Sequence, residues 1–247
     1  MYTQDEIDMI LNRFKNNDTF TCAFLVACFT GMRTGEVCAL TWDNIDFEKR
    51  TINIEHNVYS KVKDEKGKWF LGTTKTINGV RKVYICDTLL IALKNYKKKQ
   101  EHFRKLYGKK YYYYHLEEVK NKYGKVVEYR VIETTRKSKS LEMLDFVFRK
   151  ENGTYSGTDI VKYPYKVVHT ELGIENCRFY DLRGSYATKS LRNGVEIRDV
   201  ADILGHSKIE ATENYYVTTT EETLKEASEK FEEMVKSDAI DEIIKYE

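Results

Sequence analysis

The residue types in this chain that could do chemistry are arginine, lysine, histidine and tyrosine, and the usual hydrolase motifs are missing. The 247 residues contain no Gly-rich P-loop, no H-E-x-x-H, no G-x-S-x-G and no evident cluster of carboxylates for Mg²⁺. The five cysteines lack the paired C-x-x-C spacing of a zinc site, so we expect reduced thiols in the core. The sequence therefore favours a metal-free mechanism, and we expect no cofactor.

Three short blocks hold many of these residues. They read T-G-M-R-T-G-E-V-C-A-L at 30–40, Y-D-L-R-G-S-Y-A-T at 180–188 and L-G-H-S-K-I-E-A-T at 204–212. Two tyrosines, Tyr215 and Tyr216, follow the third block. In order and spacing, the set resembles the tyrosine recombinases, the integrases of phages and conjugative transposons, over nearly the full chain.

The resemblance implies that Arg33 and Arg183 grip the scissile phosphate of double-stranded DNA. A planar guanidinium can donate two hydrogen bonds to the non-bridging oxygens and stays charged. Negative charge builds on those oxygens as phosphorus becomes five-coordinate, so preorganised arginines would stabilise the transition state more than the ground state.

The resemblance also implies a general acid and a further hydrogen-bond donor. Lys75 matches the family's β-hairpin lysine, which would protonate the departing 5′ oxygen. Lys68 and Lys82 lie nearby in the sequence and remain alternatives. His206 matches the histidine of the L-G-H motif, whose imidazole can donate a hydrogen bond to the phosphate.

The family's nucleophile is a tyrosine. Its attack exchanges one phosphoester for another, so the bond energy is conserved in a 3′-phosphotyrosine and ligation needs no ATP. The family's commonest spacing falls on Tyr215, and periodicity agrees, because Tyr216 continues the stripe of Ile209 and Thr212. Some transposon integrases place the nucleophile one residue later, so Tyr216 remains the alternative.

Tyr180 departs from the family pattern, because the second block usually begins with histidine. A phenol can donate a hydrogen bond to phosphate but is a poorer proton acceptor near neutral pH, so the general base is left open. Glu36 and Asp181 stand where a carboxylate can pair with an arginine and orient it. Capping of a helix start is an equally good account of Asp181.

Local patterns predict the elements that position the first block. A capping box, Thr3-x-x-Glu6, opens a first helix. A second apolar helix, Phe20 to Phe29, ends at Gly31. Arg33 is therefore expected at a helix junction.

A helix further along the chain is predicted to end just before His206. The spacing of its apolar residues indicates one buried face, and Gly205 stops it; the residues are Ile197, Val200, Ala201 and Leu204. A second capping box, Ser207-x-x-Glu210, predicts that the next helix carries the tyrosines.

The predicted strands are short. Lys68–Thr73 and Arg81–Ile85 are expected to form a hairpin, with Asn78-Gly79 supplying the turn and Lys75 near its tip. Residues 109–132 predict a small β insertion, which could lie on DNA phosphates or be only an edge hairpin. We therefore expect an α+β fold: a mainly helical recombinase catalytic domain with a small antiparallel sheet.

The resemblance implies further domains and partners. Residues 1–247 are expected to form one catalytic domain, part of a longer integrase whose N-terminal core-binding domain is absent. In the family, a C-terminal segment passes between protomers of a homotetramer on paired DNA sites, and residues 221–247 are the candidate here. Without DNA we expect a monomer.

Composition indicates where the protein is located but does not indicate its binding partner. The net charge of +2 does not by itself indicate nucleic acid. No apolar run reaches the roughly 20 residues of a membrane span and no signal peptide is evident, so a cytoplasmic protein is expected. Two alternatives stay open: a type IB topoisomerase-like enzyme, and a non-catalytic DNA-binding relative, for which Tyr180 is the hint.

Overall fold

The computed structural model describes residues 2–61, 69–73, 80–136, 143–205 and 221–244. Its α-helices are α1 (Gln4–Phe14), α2 (Asp18–Thr30), α3 (Thr34–Ala39), α4 (Asp87–Tyr107), α5 (Lys162–Glu171), α6 (Asp181–Arg192), α7 (Ile197–Leu204), α8 (Glu221–Val235) and α9 (Asp238–Ile244). The Thr3 capping box forms as predicted at the start of α1. Helix α2 is apolar on every side and buried from Phe20 to Thr30, so it lies inside the helical core.

The strands form two antiparallel sheets. They are β1 (Ile45–Asp46), β2 (Thr51–Ile54), β3 (His56–Tyr59), β4 (Phe70–Thr73), β5 (Arg81–Tyr84), β6 (Tyr113–Lys120), β7 (Val126–Thr134) and β8 (Met143–Leu144). One sheet has the order β1-β2-β5 and the other β3-β4-β7-β6-β8. The predicted α+β fold is confirmed. The segment predicted as a β insertion contains the β6–β7 hairpin, which begins after a 3₁₀ turn at Gly108–Lys110.

The predicted hairpin between Lys68–Thr73 and Arg81–Ile85 is wrong. Strand β4 pairs with β3 and β7, whereas β5 pairs with β2 in the other sheet. Each strand buries its apolar side chains in a different place: Val83 lies in the main core, and Leu71 lies in a second cluster with Trp69 and Phe146. The turn residues Asn78 and Gly79 lie outside the described residues, as do Lys75 and Lys68.

Two glycines end the helices that lead into the candidate site. Gly31 follows α2 with φ +62°, and Gly205 follows α7 with φ +67°, both in the left-handed region that favours glycine. Helix α7 buries Val200, Ala201 and Leu204 as predicted. Ile197 was also expected on the buried face but is 71% exposed, because the first turn of this eight-residue helix projects beyond the core.

The C-terminal helices pack on the chain's own body. Phe231 of α8 contacts Phe29 and Tyr186, with ring centroids 5.9 and 4.6 Å away. Ile240 and Ile243 of α9 are buried in the main core. All five cysteines are buried and free, as expected. Within the described parts of the chain, no helix combines the length and apolarity that a membrane span requires.

Candidate active site

Three consecutive carbonyl oxygens at the C-terminal end of α7 each accept a hydrogen bond from a different arginine. The bonds run from Arg81 Nε to Ile203 O at 2.6 Å, from Arg183 Nη2 to Leu204 O at 2.6 Å and from Arg33 Nη2 to Gly205 O at 3.3 Å. The last carbonyls of a helix lack intrahelical partners and carry the negative end of its dipole, so guanidinium groups stabilise them. We call Arg33, Arg81 and Arg183 the arginine cluster.

Arg183 is the most deeply buried member of the cluster. Its Nη1 also donates to the carbonyl of Gly31 at 2.9 Å, so Arg183 joins the end of α2 to the end of α7. Burial, together with the positive charges of Arg33 and Arg81, lowers the pKa of Arg183 to about 10. The guanidinium stays charged at neutral pH. An anion beside it would relieve the repulsion within the cluster.

Glu36 is the carboxylate that holds two of these arginines together. It is 2% exposed and accepts from Arg33 Nη1 at 2.8 Å and from Arg81 Nη2 at 2.8 Å. It also accepts from the backbone N–H of Arg33 at 2.8 Å, so it caps the start of α3. Burial by itself would raise the pKa of Glu36, but the hydrogen bonds and charges of Arg81 and Arg33 outweigh burial and lower that pKa below its ordinary value.

Arg33 is the cluster member with access to solvent. It stands at the junction before α3, where the sequence predicted it, and its side chain is 36% exposed. Its guanidinium donates hydrogen bonds to the Glu36 carboxylate and to the Gly205 carbonyl, which hold it in place. A guanidinium that is anchored on one side and open on the other can meet an oxyanion without losing much side-chain entropy.

The family of this chain is decided by its match over most of its length. The sequence model described as the phage integrase family matches residues 1–222. The chain belongs to the phage integrase family. The resemblance to tyrosine recombinases found in the sequence is thereby confirmed.

Several bacterial proteins of the phage integrase family are similar to this chain. A tyrosine recombinase XerC-like protein of Caldanaerobacter subterraneus is 29% identical over 221 residues, covering 87% of this chain and 49% of the relative. The ICEBs1 integrase of Bacillus subtilis is 25% identical and covers the same shares of the two proteins. The chain thus spans about half the length of the curated relatives it matches.

Solved structures show the same fold. The Tn1549 transposon integrase, in complex with a circular intermediate DNA, aligns with a TM-score of 0.59 at 18% identity. That alignment covers 90% of this chain and 62% of the integrase chain. The XerA recombinase aligns with a TM-score of 0.54 at 19% identity, covering 91% of this chain and 62% of that chain. At these identities, the comparison supports the fold of a phage integrase domain.

Within this phage integrase domain, Tyr180 lies three residues before Arg183 of the cluster. It precedes α6 and is 51% exposed, and its carbonyl accepts the backbone N–H of Arg183 at 3.1 Å. Its phenol is close enough to influence the pKa of Arg183, to which its charge contributes in the raising direction. Tyr180 is therefore an exposed tyrosine close enough to Arg183 to affect its pKa.

Asp181 agrees with the second of the two accounts that the sequence left open, the capping of a helix start. Its carboxylate accepts from the backbone N–H of Arg178 at 2.8 Å and from Arg178 Nη2 at 3.0 Å, and the pairing with Arg178 lowers its pKa. Residues two apart on a helix point to different sides, so Asp181 faces away from Arg183. Asp181 therefore stabilises the turn that leads into α6, which agrees with the capping alternative.

Lys82 is the one lysine of the three candidates that lies in the described part of the chain. Lys82 follows Arg81 on β5, and successive side chains of a strand point to opposite faces. Arg81 reaches the cluster, whereas Lys82 lines a surface cavity of about 320 Å³ with Arg50, Thr51 and Tyr84. Lys82 therefore lies on the other face of the sheet from the cluster.

Several predicted site residues fall outside the described part of the chain: Lys75, Lys68, His206, Tyr215 and Tyr216. His206 directly follows Gly205 in the sequence, and the carbonyl oxygen of Gly205 accepts a hydrogen bond from Arg33. Sequence reasoning missed Arg81. Its one local signal was a charged residue opening a strand whose Val83 and Ile85 are apolar.

Proposed function

We propose that this chain is the catalytic domain of a site-specific recombinase that cuts and rejoins DNA through a 3′-phosphotyrosine. The substrate would be the ends of a mobile element, joined during integration and separated during excision. The observation that carries this proposal is the gathering of Arg33 and Arg183 on adjacent carbonyls of α7, from positions 150 residues apart in the sequence.

The arrangement suits a phosphate in its transition state. Arg183 is buried with a depressed pKa, Arg33 is anchored but open to solvent, and the cluster with Glu36 has three cations and one anion. Such a preorganised positive site favours the extra charge of a five-coordinate phosphorus over the ground state. Tyr180 adds an exposed hydroxyl that can donate to the same phosphate.

The remaining roles rest on the family resemblance. The phenol oxygen of Tyr215, or of Tyr216, would attack the phosphorus and form the phosphotyrosine bond as the bond to the 5′ oxygen breaks. Lys75 would give that oxygen its proton, and His206 would donate a hydrogen bond to the phosphate. Rejoining is the same exchange in reverse, started by a 5′ hydroxyl.

The proposed partners follow from the same reaction. The family resemblance implies a homotetramer on paired DNA sites, with residues 221–247 exchanged between protomers, and we propose both for this chain, with a monomer in the absence of DNA. A smaller DNA-binding domain preceding these residues would complete the grip on DNA. The relatives named above come from bacteria. We place the reaction in the bacterial cytoplasm, where the chromosome lies.

Covalent trapping tests the proposal. The chain is incubated with nicked suicide duplexes from the ends of its own element, and protein–DNA adducts that survive SDS are separated by electrophoresis. An adduct lost in Tyr215→Phe but kept in Tyr216→Phe supports the mechanism and the nucleophile. Loss in Tyr216→Phe alone moves the nucleophile by one residue.

Two other outcomes would contradict the proposal. DNA binding without any adduct, even when the preceding domain is supplied, would indicate a non-catalytic DNA-binding relative. Relaxation of supercoiled plasmid without preference for the element's ends would indicate a topoisomerase-like enzyme.

A further inference from the structure

Arg81 joins three elements through one buried guanidinium. Its Nη1 and Nη2 donate to Glu36 Oε1 and Oε2 at 3.1 and 2.8 Å, and its Nε donates to Ile203 O at 2.6 Å. The two bonds to Glu36 form a bidentate pair, which fixes the plane of the carboxylate. Strand β5 is thereby tied to α3 and to the end of α7. The side chain is 6% exposed, so it is covered by its own protein rather than presented to a ligand.

Glu36 divides its charge between Arg81 and Arg33. Oε1 receives Nη1 of both arginines, and Oε2 receives Nη2 of Arg81 together with the backbone N–H of Arg33. Without Arg81, the carboxylate would be paired with Arg33 alone and would offset more of its positive charge. The carboxylate would also lose the bonds that hold it in plane, and with them the fixed position of the Arg33 guanidinium.

The bond to Ile203 acts on the other side of the site. Ile203, Leu204 and Gly205 precede His206, and each of their carbonyls is held by one arginine of the cluster. Arg81 holds the innermost of the three. It also opens β5, six residues after Lys75 in the sequence. One side chain therefore holds the carboxylate that binds Arg33 and also a carbonyl at the end of α7.

We propose that Arg81 is a positioning residue for phosphate cleavage, acting through Glu36 on Arg33 and through Ile203 on the turn that leads to His206. The inference rests on the proposed function, since its effect is on the cleavage step. Lysine at this position keeps the charge but loses the planar fork, so it cannot hold Glu36 and Ile203 together. Arg81→Lys therefore tests positioning separately from charge.

The experiment measures single-turnover cleavage of the suicide duplex at saturating protein, together with DNA affinity and the thermal midpoint. The matched control is Arg149→Lys, because Arg149 is also a buried arginine, but its hydrogen bonds reach Asp145 and Gln100, outside the cluster.

We expect Arg81→Lys to cleave roughly 10- to 100-fold more slowly than wild type, the range seen when groups that orient a ligand are altered. DNA affinity should change by less than about threefold, because Arg81 does not reach the substrate. Arg149→Lys should cleave at close to the wild-type rate.

Each outcome is decisive. If Arg81→Lys cleaves as fast as Arg149→Lys, or if only its DNA affinity falls, Arg81 is a structural residue and the proposal is overturned. If Arg81→Lys does not unfold cooperatively, Arg81→Gln replaces it in the same comparison. If wild type forms no adduct while binding DNA, it is the proposed function that fails, and the positioning role fails with it.

Discussion

Arg183 Nη2 donates a 2.6 Å hydrogen bond to the carbonyl oxygen of Leu204, 21 residues further along the chain. This bond joins the second and third sequence blocks directly. The left-handed conformation of Gly205 ends the helix immediately after Leu204, so the carbonyl is left available to a side-chain donor. Arg183 thus fixes the end of α7 against α6.

Glu36→Gln should destabilise the fold strongly. Glu36 is buried and pairs with two arginines, and its neutral replacement would remove the negative charge from the buried pair with Arg81. Breaking one side of a buried ion pair costs about 3–5 kcal/mol. Urea unfolding measures the loss. Glu171→Gln is the control, because its pair with Arg13 is largely exposed and should contribute about 0–1 kcal/mol.

Acid should reduce the difference between wild type and Glu36→Gln. The folded-state pKa of Glu36 lies below its ordinary value of 4.5, so the unfolded chain takes up the proton first as pH falls. The stabilisation is therefore full near neutral pH and is lost as pH falls below 4.5 and through the folded pKa. Urea unfolding of both proteins from neutral to acid pH checks this. A constant difference over the whole range would show that the charge of Glu36 is not what stabilises the cluster.

Gly31→Ala should be more damaging than the same change at another left-handed glycine. A Cβ at Gly31 would lie 2.6 Å from Leu204 Cδ2 and 2.9 Å from Tyr186 Cδ1, besides the strain of φ +62°. Gly124 has φ +77° with nothing within 4 Å of its Cβ position, so Gly124→Ala measures the strain alone. We expect Gly31→Ala to lose about 1–3 kcal/mol more than the control. Its cleavage should also fall, because Gly31 O accepts from Arg183. Equal losses in both variants would refute the close packing of Gly31 against α7.

Tyr180→Phe should slow cleavage without affecting folding. The side chain is exposed, so the free energy of unfolding should change by less than about 0.5 kcal/mol. A hydrogen bond to a charged phosphate contributes about 1.5–3 kcal/mol, so its loss should slow cleavage roughly 10- to 100-fold. Tyr180→His should restore the rate, since imidazole can donate and also accept a proton near neutral pH. Wild-type cleavage by Tyr180→Phe would remove Tyr180 from the site.

Ile240→Ala should destabilise the chain independently of protein concentration. Ile240 is fully buried in the core of its own chain, and truncating such a residue costs about 2–5 kcal/mol. Ile197→Ala is the control, because Ile197 is exposed. Thermal midpoints at low and high protein concentration complete the test. A midpoint that rises with concentration would show instead that α9 docks on a neighbouring copy without DNA.

The sequence by itself determined the family and the local features that position the site, namely the helix cap, the helix ends and the helix junction. The capping box at Thr3, the helix ends at Gly31 and Gly205 and the junction at Arg33 all formed where they were predicted. Each depends on residues within a few positions of one another, so hydrogen bonding and backbone sterics decide it locally.

Only the tertiary structure decided the pairings between distant residues. Arg81 meets Glu36 and Ile203 across 45 and 122 positions, and β4 and β5 join different sheets although a turn signal lies between them. Asp181, two residues before Arg183 in the sequence, pairs with Arg178 instead. Such contacts depend on which surfaces become buried together, because burial sets the strength of an ion pair and the best partner for a strand. The local sequence shows which side chains can donate hydrogen bonds, but the packing of the whole chain determines which groups accept them.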